Sequence, residues 1–380
     1  MIGMSRADLA VVGAGVIGLA VAWKAAAAGH HVTVFDPEPA CGGASWVAGG
    51  MLAPVAEAWP GEEVALALGE ESLRRWPRFA RELRSEGFDC GLSEQGTIIA
   101  AFDHADAEQL DILERYLAGI GRQATLVTGR RLRRTEPGLG AVRSGLLVPS
   151  DVFVDNRRLL KALLEAARSR GAEFVCETAV RLDGHSVATA SRTRRFDAVV
   201  LAAGAYSGRL HPELETSVHP LKGEVLRLRA RRGTLPPPRH TVRAVSEGRP
   251  VYLVPRDDGE LVLGATQYEA GFDTTVTARG VRELIEAAER VFPSVAEYEL
   301  IETAAGLRAG SSDNVPYLGP LHDGVYAATG HHRNGLLLAP VTADAVLAWL
   351  SGTRPPEGTE RARPDRDTSE EHADASVRQR

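Results

Sequence analysis

The sequence predicts a mixed α/β fold in which a parallel, helix-covered sheet is interleaved along the chain with an antiparallel sheet. Three observations carry this. The first residues read as strand, glycine turn, helix and strand, a βαβ unit. Residues 197–204 form an apolar run without alternation, as a parallel strand covered on both faces requires. Between about residues 221 and 301 the pattern changes to alternation with hairpin signals, the mark of antiparallel pairing.

Taken in order, residues 8–12 are a short buried strand, 16–28 a helix closed by Gly29, and 31–36 the next strand. Helical apolar spacing follows over 64–86 and 105–118, with a strand at 96–101 between them. Asp155 is placed to cap a helix whose apolar face is Leu159, Leu160, Leu163, Leu164 and Ala167, with Gly171 beyond its end. Residues 173–177 form a strand. Later, 224–229 alternates, and 252–255 and 260–264 flank the turn Asp257-Asp-Gly259. Residues 281–292 supply one covering helix. Finally, residues 328–340 form a polar, glycine-bracketed turn carrying Arg333 that runs into an apolar helix. A helix that starts so aims free N–H groups and its positive end at whatever lies above the turn.

At 380 residues the chain suggests about two domains. The expected division gives 5–85, 151–215 and 301–350 to a cofactor-binding domain and 86–150 and 216–300 to a substrate domain. Residues 351–380, polar and rich in Pro, Arg, Asp and Glu, are expected to be a disordered tail. A net charge of −6 argues against a nucleic-acid partner. No apolar run reaches the roughly 18 residues of a membrane span, and the chain enters a strand too soon to leave room for a signal peptide. Cys41, Cys90 and Cys176 are odd in number and lack metal spacing, which points to free thiols and a cytoplasmic setting.

Gly13-Ala-Gly15-Val-Ile-Gly18 sits between strand and helix, the context in which this spacing has a mechanism. Gly13 permits the tight turn, Gly15 lets backbone approach a pyrophosphate, and Gly18 lets helix and strand pack closely. Asp36, ending the next strand, is placed to accept ribose hydroxyls, which disfavours NADP. A Rossmann-like domain follows. A second small-residue loop, 42–54, can run along an extended cofactor toward a ring near Gly50 and Met51. With the donors of the 328–340 turn facing the negative pyrimidine edge of a reduced flavin, the reading becomes FAD.

These residues resemble the glycine oxidases of thiamine biosynthesis, within the D-amino acid oxidase group of FAD enzymes. The segments 13–18, 44–54, 252–256, 306–310 and 330–337 occur in that family's order, and the likeness spans about residues 8 to 350. It implies noncovalent FAD, oxidation of glycine, sarcosine or small D-amino acids to the imine by hydride transfer to flavin N5, and reoxidation by oxygen to hydrogen peroxide. The imine then hydrolyses to glyoxylate or supplies thiazole formation, a functional link to a thiazole synthase. The resemblance also implies a homotetramer. It puts Gly13, Gly15, Val16, Ile17, Gly18, Asp36, Pro37, Ala44, Ser45, Gly49, Gly50, Met51, Val180 and Gly204 at FAD. His331, His332, Arg333, Asn334, Gly335, Leu336 and Leu337 wrap the flavin.

By the same resemblance Tyr252, Arg308 and Arg333 line the substrate pocket, with Gln267 beside them. An arginine fork suits a carboxylate bidentately, and a phenol adds one bond. Two departures stand out: Ala44 replaces a common threonine, and polar Gln267 stands where a relative can carry methionine, which bears on substrate choice. His331 and His332 lack a partner at metal spacing, so no metal is expected. The cluster Arg130–Arg134 reads as a solvated helix face. Within the same chemistry the alternative is a dehydrogenase using an acceptor other than oxygen. From other classes, a flavoprotein acting on tRNA lacks a basic stripe, and a noncatalytic flavin subunit would not need Tyr252 and Arg308.

Overall fold

The computed structural model describes residues 6–246 and 248–366. A six-stranded sheet runs in the order Tyr317–Pro320, Val325–Thr329, Ala198–Leu201, Asp8–Val12, His31–Phe35, Glu173–Val175. All neighbours are parallel except the outermost pair, Tyr317–Pro320 with Val325–Thr329. The reason for its unbroken apolar strands lies in its two faces. Leu9, Val11, Val32, Val34 and Val200 pack under the helices Val16–Ala27, Asn156–Ser169 and Gly335–Leu350. Ala10, Val12, Phe35, Val199 and Leu201 pack on the other side, with the small meander strand Ser186–Ala188 contributing Val187. Successive residues point to opposite faces and both are buried, so polar alternation is excluded.

The second sheet has eight strands in the order Glu299–Gly310, His219–Arg229, Glu260–Gly264, Arg249–Pro255, Thr241–Ser246, Thr97–Ala101, Ser144–Val148, Thr125–Thr128. Pairing is antiparallel except between Thr241–Ser246 and Thr97–Ala101, which run parallel. Leu226, Leu228, Val242, Leu253, Leu261 and Leu263 turn to one face and meet Leu284, Ala288 and Val291 of the helix Ala278–Val291. The alternate residues of these strands, among them Arg227, Arg243, Tyr252 and Val254, therefore face the first domain. A short sheet of Met51–Leu52, Val152–Val154 and Leu92–Ser93 ties the two together.

The expected interleaving is reproduced in outline, with two differences. The strand Glu299–Gly310 pairs along its length with His219–Arg229, so the chain stays in the second sheet to Gly310 instead of leaving it at residue 301. Small residues explain why its pattern was hard to read: Gly306 lies so close to the helix Gly43–Val47 that an added Cβ would stand 3.1 Å from the Ala44 Cα. Residues 351–366 also differ from the expected disordered tail. Ala362 is fully buried, and Arg366 donates to the Asp313 carboxylate and to the carbonyls of Val315 and Pro316. The rest of that segment, 367–380, lies outside the described residues. The three cysteines are unpaired, and among the described residues no helix is long and apolar enough to cross a membrane.

Candidate active site

The glycine turn is built as its spacing requires. Gly13 has φ +104, and a Cβ there would stand 2.4 Å from the Ala202 carbonyl oxygen. A Cβ on Gly18 would stand 1.8 Å from the Gly13 carbonyl oxygen. At Gly15 the nearest neighbour is different in kind, the Ser45 hydroxyl at 3.1 Å, so its backbone is left bare. The helix Val16–Ala27 carries no acid in its first turn, and its end is an anion site by dipole and free N–H groups. Ser45 accepts from the Val16 N–H at 3.1 Å, which lays the second small-residue loop across that helix end. The Asp36 carboxylate lies against the turn, accepting from Ala14 N–H at 2.7 Å and Glu38 N–H at 2.8 Å. Bare backbone, a helix start without an acid in its first turn and a carboxylate at the strand end together fit an extended dinucleotide. Val180 is exposed beside the meander, and Gly204, with φ +55, accepts from the Thr329 hydroxyl.

The loop then passes beneath Tyr252. A Cβ on Gly49 would stand 2.6 Å from the Tyr252 ring, and one on Gly264 would stand 2.4 Å from it. Glycine at both places lets the phenol lie flat between cofactor loop and sheet. Among the described residues its hydroxyl takes no hydrogen bond. Burial pushes the phenol pKa up, with Arg308 pulling the other way.

Arg308 lies across Gly223 of the neighbouring strand, where a Cβ would stand 2.4 Å from its guanidinium. Its one hydrogen bond runs to the Thr266 carbonyl at 3.3 Å. Among the described residues no carboxylate pairs with it. Half-buried, this cation beside a free phenol is a ready carboxylate site.

The other predicted pocket residues are placed differently. Arg333 donates to Glu57 at 2.7 Å and to Glu62 at 2.9 Å, so both sides of its fork are occupied. Burial would raise the Glu57 carboxyl, but Arg243 at 3.2 Å and then Arg333 overcome it and hold it below the usual range. Gln267 is exposed, one residue from the carbonyl that Arg308 grips.

The two histidines part company. His331 is buried, bonds the Thr342 hydroxyl at 3.0 Å, and is pushed down to about 3 by burial. His332 has φ +46, and both its ring nitrogens are buried without a partner among the described residues. Burial, then Arg333 and Arg308, push it down to about 4. The helix Gly335–Leu350 begins directly after them and contains Pro340. Its Leu337 carbonyl accepts from Ser72 at 2.6 Å and Trp76 at 3.0 Å, partners from the helix Glu63–Ser85 that satisfy the ladder where proline interrupts it.

Sequence reasoning missed Glu57 and Arg243. Arg243 stands opposite Tyr252 in register and so on the same face. Only the pairing of the two strands reveals it.

The profile of the FAD dependent oxidoreductase family (DAO) matches residues 8–349. The chain is similar to a glycine oxidase of Geobacillus kaustophilus, 36% identical over 350 residues that cover 89% of this chain and 91% of the relative. A glycine oxidase of Pseudomonas aeruginosa is 33% identical, over 91% of this chain and 95% of the relative. A bifunctional ThiO/ThiG protein of Trichormus variabilis is 32% identical across 90% of this chain, but only 52% of that longer protein is matched. Among solved structures, the glycine oxidase from Geobacillus kaustophilus superposes with a TM-score of 0.87 at 32% identity, over 95% of this chain and 98% of that one. An iminodiacetate oxidase from Chelativorans sp. BNC1 gives 0.83 at 25% identity, over 94% and 98%.

Proposed function

The chain belongs to the FAD-dependent oxidoreductase family, and we propose that it oxidises glycine, with sarcosine and small D-amino acids as further substrates, to the imine. The observation that carries this is the unpaired Arg308 guanidinium beside the unbonded Tyr252 hydroxyl, on the sheet face turned to the cofactor loop. Arg308 grips the substrate carboxylate through its fork, and Tyr252 donates one more hydrogen bond to it. A carboxylate fixed at two points sets the direction of the Cα–H bond, which is the main contribution the protein makes to a hydride transfer.

The backbone of Gly13, Gly15 and Val16 would hold the pyrophosphate of FAD, and Asp36 its ribose. FAD, when bound, supplies the hydride acceptor and passes the electrons on to oxygen, giving hydrogen peroxide. Neither His331 nor His332 is a base of useful strength, since burial holds both far below the usual imidazole range. Arg333 borders the site with its fork committed to Glu57 and Glu62. Relatives in which a ThiO portion is joined to ThiG support a role in supplying thiazole formation. Noncovalent FAD, a cytoplasmic setting and a homotetramer complete the reading.

The test is direct. Protein purified with FAD should be yellow, should bleach anaerobically with glycine, and should release peroxide in air. Sarcosine, D-alanine and D-proline rank the substrates. A flavin that no amino acid bleaches would refute the reading. Bleaching without peroxide would move it to a dehydrogenase. Light scattering reads the assembly.

A further inference from the structure

The segment that carries Tyr252 ends on Arg256, a residue with no part in the reaction above. Tyr252, Val254 and Arg256 alternate along one strand and its end, so all three turn toward the first domain. Arg256 is 8% exposed. One terminal nitrogen donates to the Gly49 carbonyl at 2.8 Å and to Asn156 Oδ1 at 3.1 Å. The other donates to the Pro255 carbonyl at 3.0 Å. Its Nε is buried without a hydrogen bond among the described residues, 3.7 Å from the Asp155 carboxylate.

Asn156 is completely buried at the start of the helix Asn156–Ser169. Its amide nitrogen donates to the carbonyls of Ser45 at 2.9 Å and Trp46 at 2.8 Å. Its oxygen accepts from Arg256 and, at 3.0 Å, from Arg227. Every hydrogen-bonding position of the amide is therefore in use, and the surrounding donors and acceptors fix which end is which. Ser45 and Trp46 belong to the last turn of the short helix Gly43–Val47, whose final carbonyls have no partner within the helix. Arg157 adds a second hold, lying 4.0 Å over the Trp46 ring and paired with both Glu302 oxygens.

Two buried guanidiniums on one amide oxygen are a poor way merely to stabilise a joint. Desolvation pushes Arg256 down to about 10, and apolar residues of the same volume would often serve stability as well or better. What the polar joint supplies is geometry. It suspends residues 45–49 from three carbonyls, and that stretch caps the cofactor helix at one end and lies under Tyr252 at the other.

We propose that Asn156 and Arg256 are positioning residues that set the 45–50 loop for FAD and, through Gly49, align it with Tyr252. The cofactor half rests on family membership, and only the Tyr252 half rests on the function proposed above. Neither residue touches the reacting atoms.

The experiment compares apoprotein melting with the FAD dissociation constant, read by flavin fluorescence, for Asn156→Asp, Arg256→Met and a control. Leu284→Ala, on the buried face of the helix Ala278–Val291, is destabilised without touching the joint. Asn156→Asp and Arg256→Met should weaken FAD at least tenfold and shift the bound flavin's visible band, while Leu284→Ala binds FAD as the parent does. Arg256→Lys, which keeps the charge and loses the fork, should fall between and serves if Arg256→Met does not fold. Wild-type FAD affinity in the joint variants, or weakening that simply follows the melting temperature in all variants, would overturn the proposal. Failure of glycine to reduce a normally bound flavin would instead count against the proposed substrate alone.

Discussion

The two sides of the site are built in opposite ways. The proposed cofactor side is backbone: a glycine turn, a helix end and a strand-end carboxylate, contiguous within residues 13–36. The proposed substrate side is side chain: Tyr252 and Arg308 come from different strands of one sheet and meet through register. Backbone sites fail when a Cβ is added, and side-chain sites fail when a functional group is removed. The difference shows that the two halves can be damaged separately.

On the cofactor side the largest effect is expected at Gly15. Its only close neighbour is the flexible Ser45 hydroxyl, so Gly15→Ala should fold, with an apoprotein melting temperature near that of the parent. A methyl group where phosphate approaches should weaken FAD by about a hundredfold, the loss of one or two charge-assisted hydrogen bonds. Equilibrium titration with FAD measures it, and unchanged affinity would break the backbone half of the comparison. Next comes Tyr252→Phe. The ring keeps its place between Gly49 and Gly264 while one hydrogen bond to substrate is lost, so kcat/KM for glycine should drop about tenfold. FAD affinity should hold. A change in FAD affinity instead would mean the halves are less separable than their construction suggests.

A further prediction concerns stability, in the loop joining the halves. Asp151 is fully buried and accepts from the Val55 and Ala56 N–H groups, and burial raises it to about 7. A carboxyl with a raised folded-state pKa favours the folded protein below its ordinary value and loses that advantage as pH climbs toward 7. Melting of the parent should therefore decline relative to Asp151→Asn between about pH 4 and pH 7. Parallel melting curves for the two proteins would show that Asp151 is ionised in the fold throughout.

The same contrast explains what could be read from the sequence. The turn at 13–18 and the strands 8–12 and 198–201 were legible because local rules govern them: glycine where a Cβ cannot fit, and unbroken apolar runs where both faces are covered. Arg308 and Tyr252 were found through family motifs, and the structure brings them to one face. The partners of Arg333 were not legible, because Glu57 lies far from it in sequence and the ion pair depends on how the domains close. Asn156 was hidden for a similar reason: its contact with Arg256 spans 100 residues, and the capping signal of Asp155 drew attention to its neighbour. The strand Glu299–Gly310 was obscured by its own alanines and glycines, which its close packing requires.

Arg308 is proposed to receive the substrate carboxylate and to have no share in holding FAD. Anaerobic titration of FAD-loaded Arg308→Ala with glycine tests it most directly, with FAD affinity measured on the same protein. Normal FAD affinity is expected, with a flavin that needs at least a hundredfold more glycine to bleach, as when a charged pair to the substrate is lost. Bleaching at the parent's glycine concentration, or loss of FAD from the variant, would contradict it.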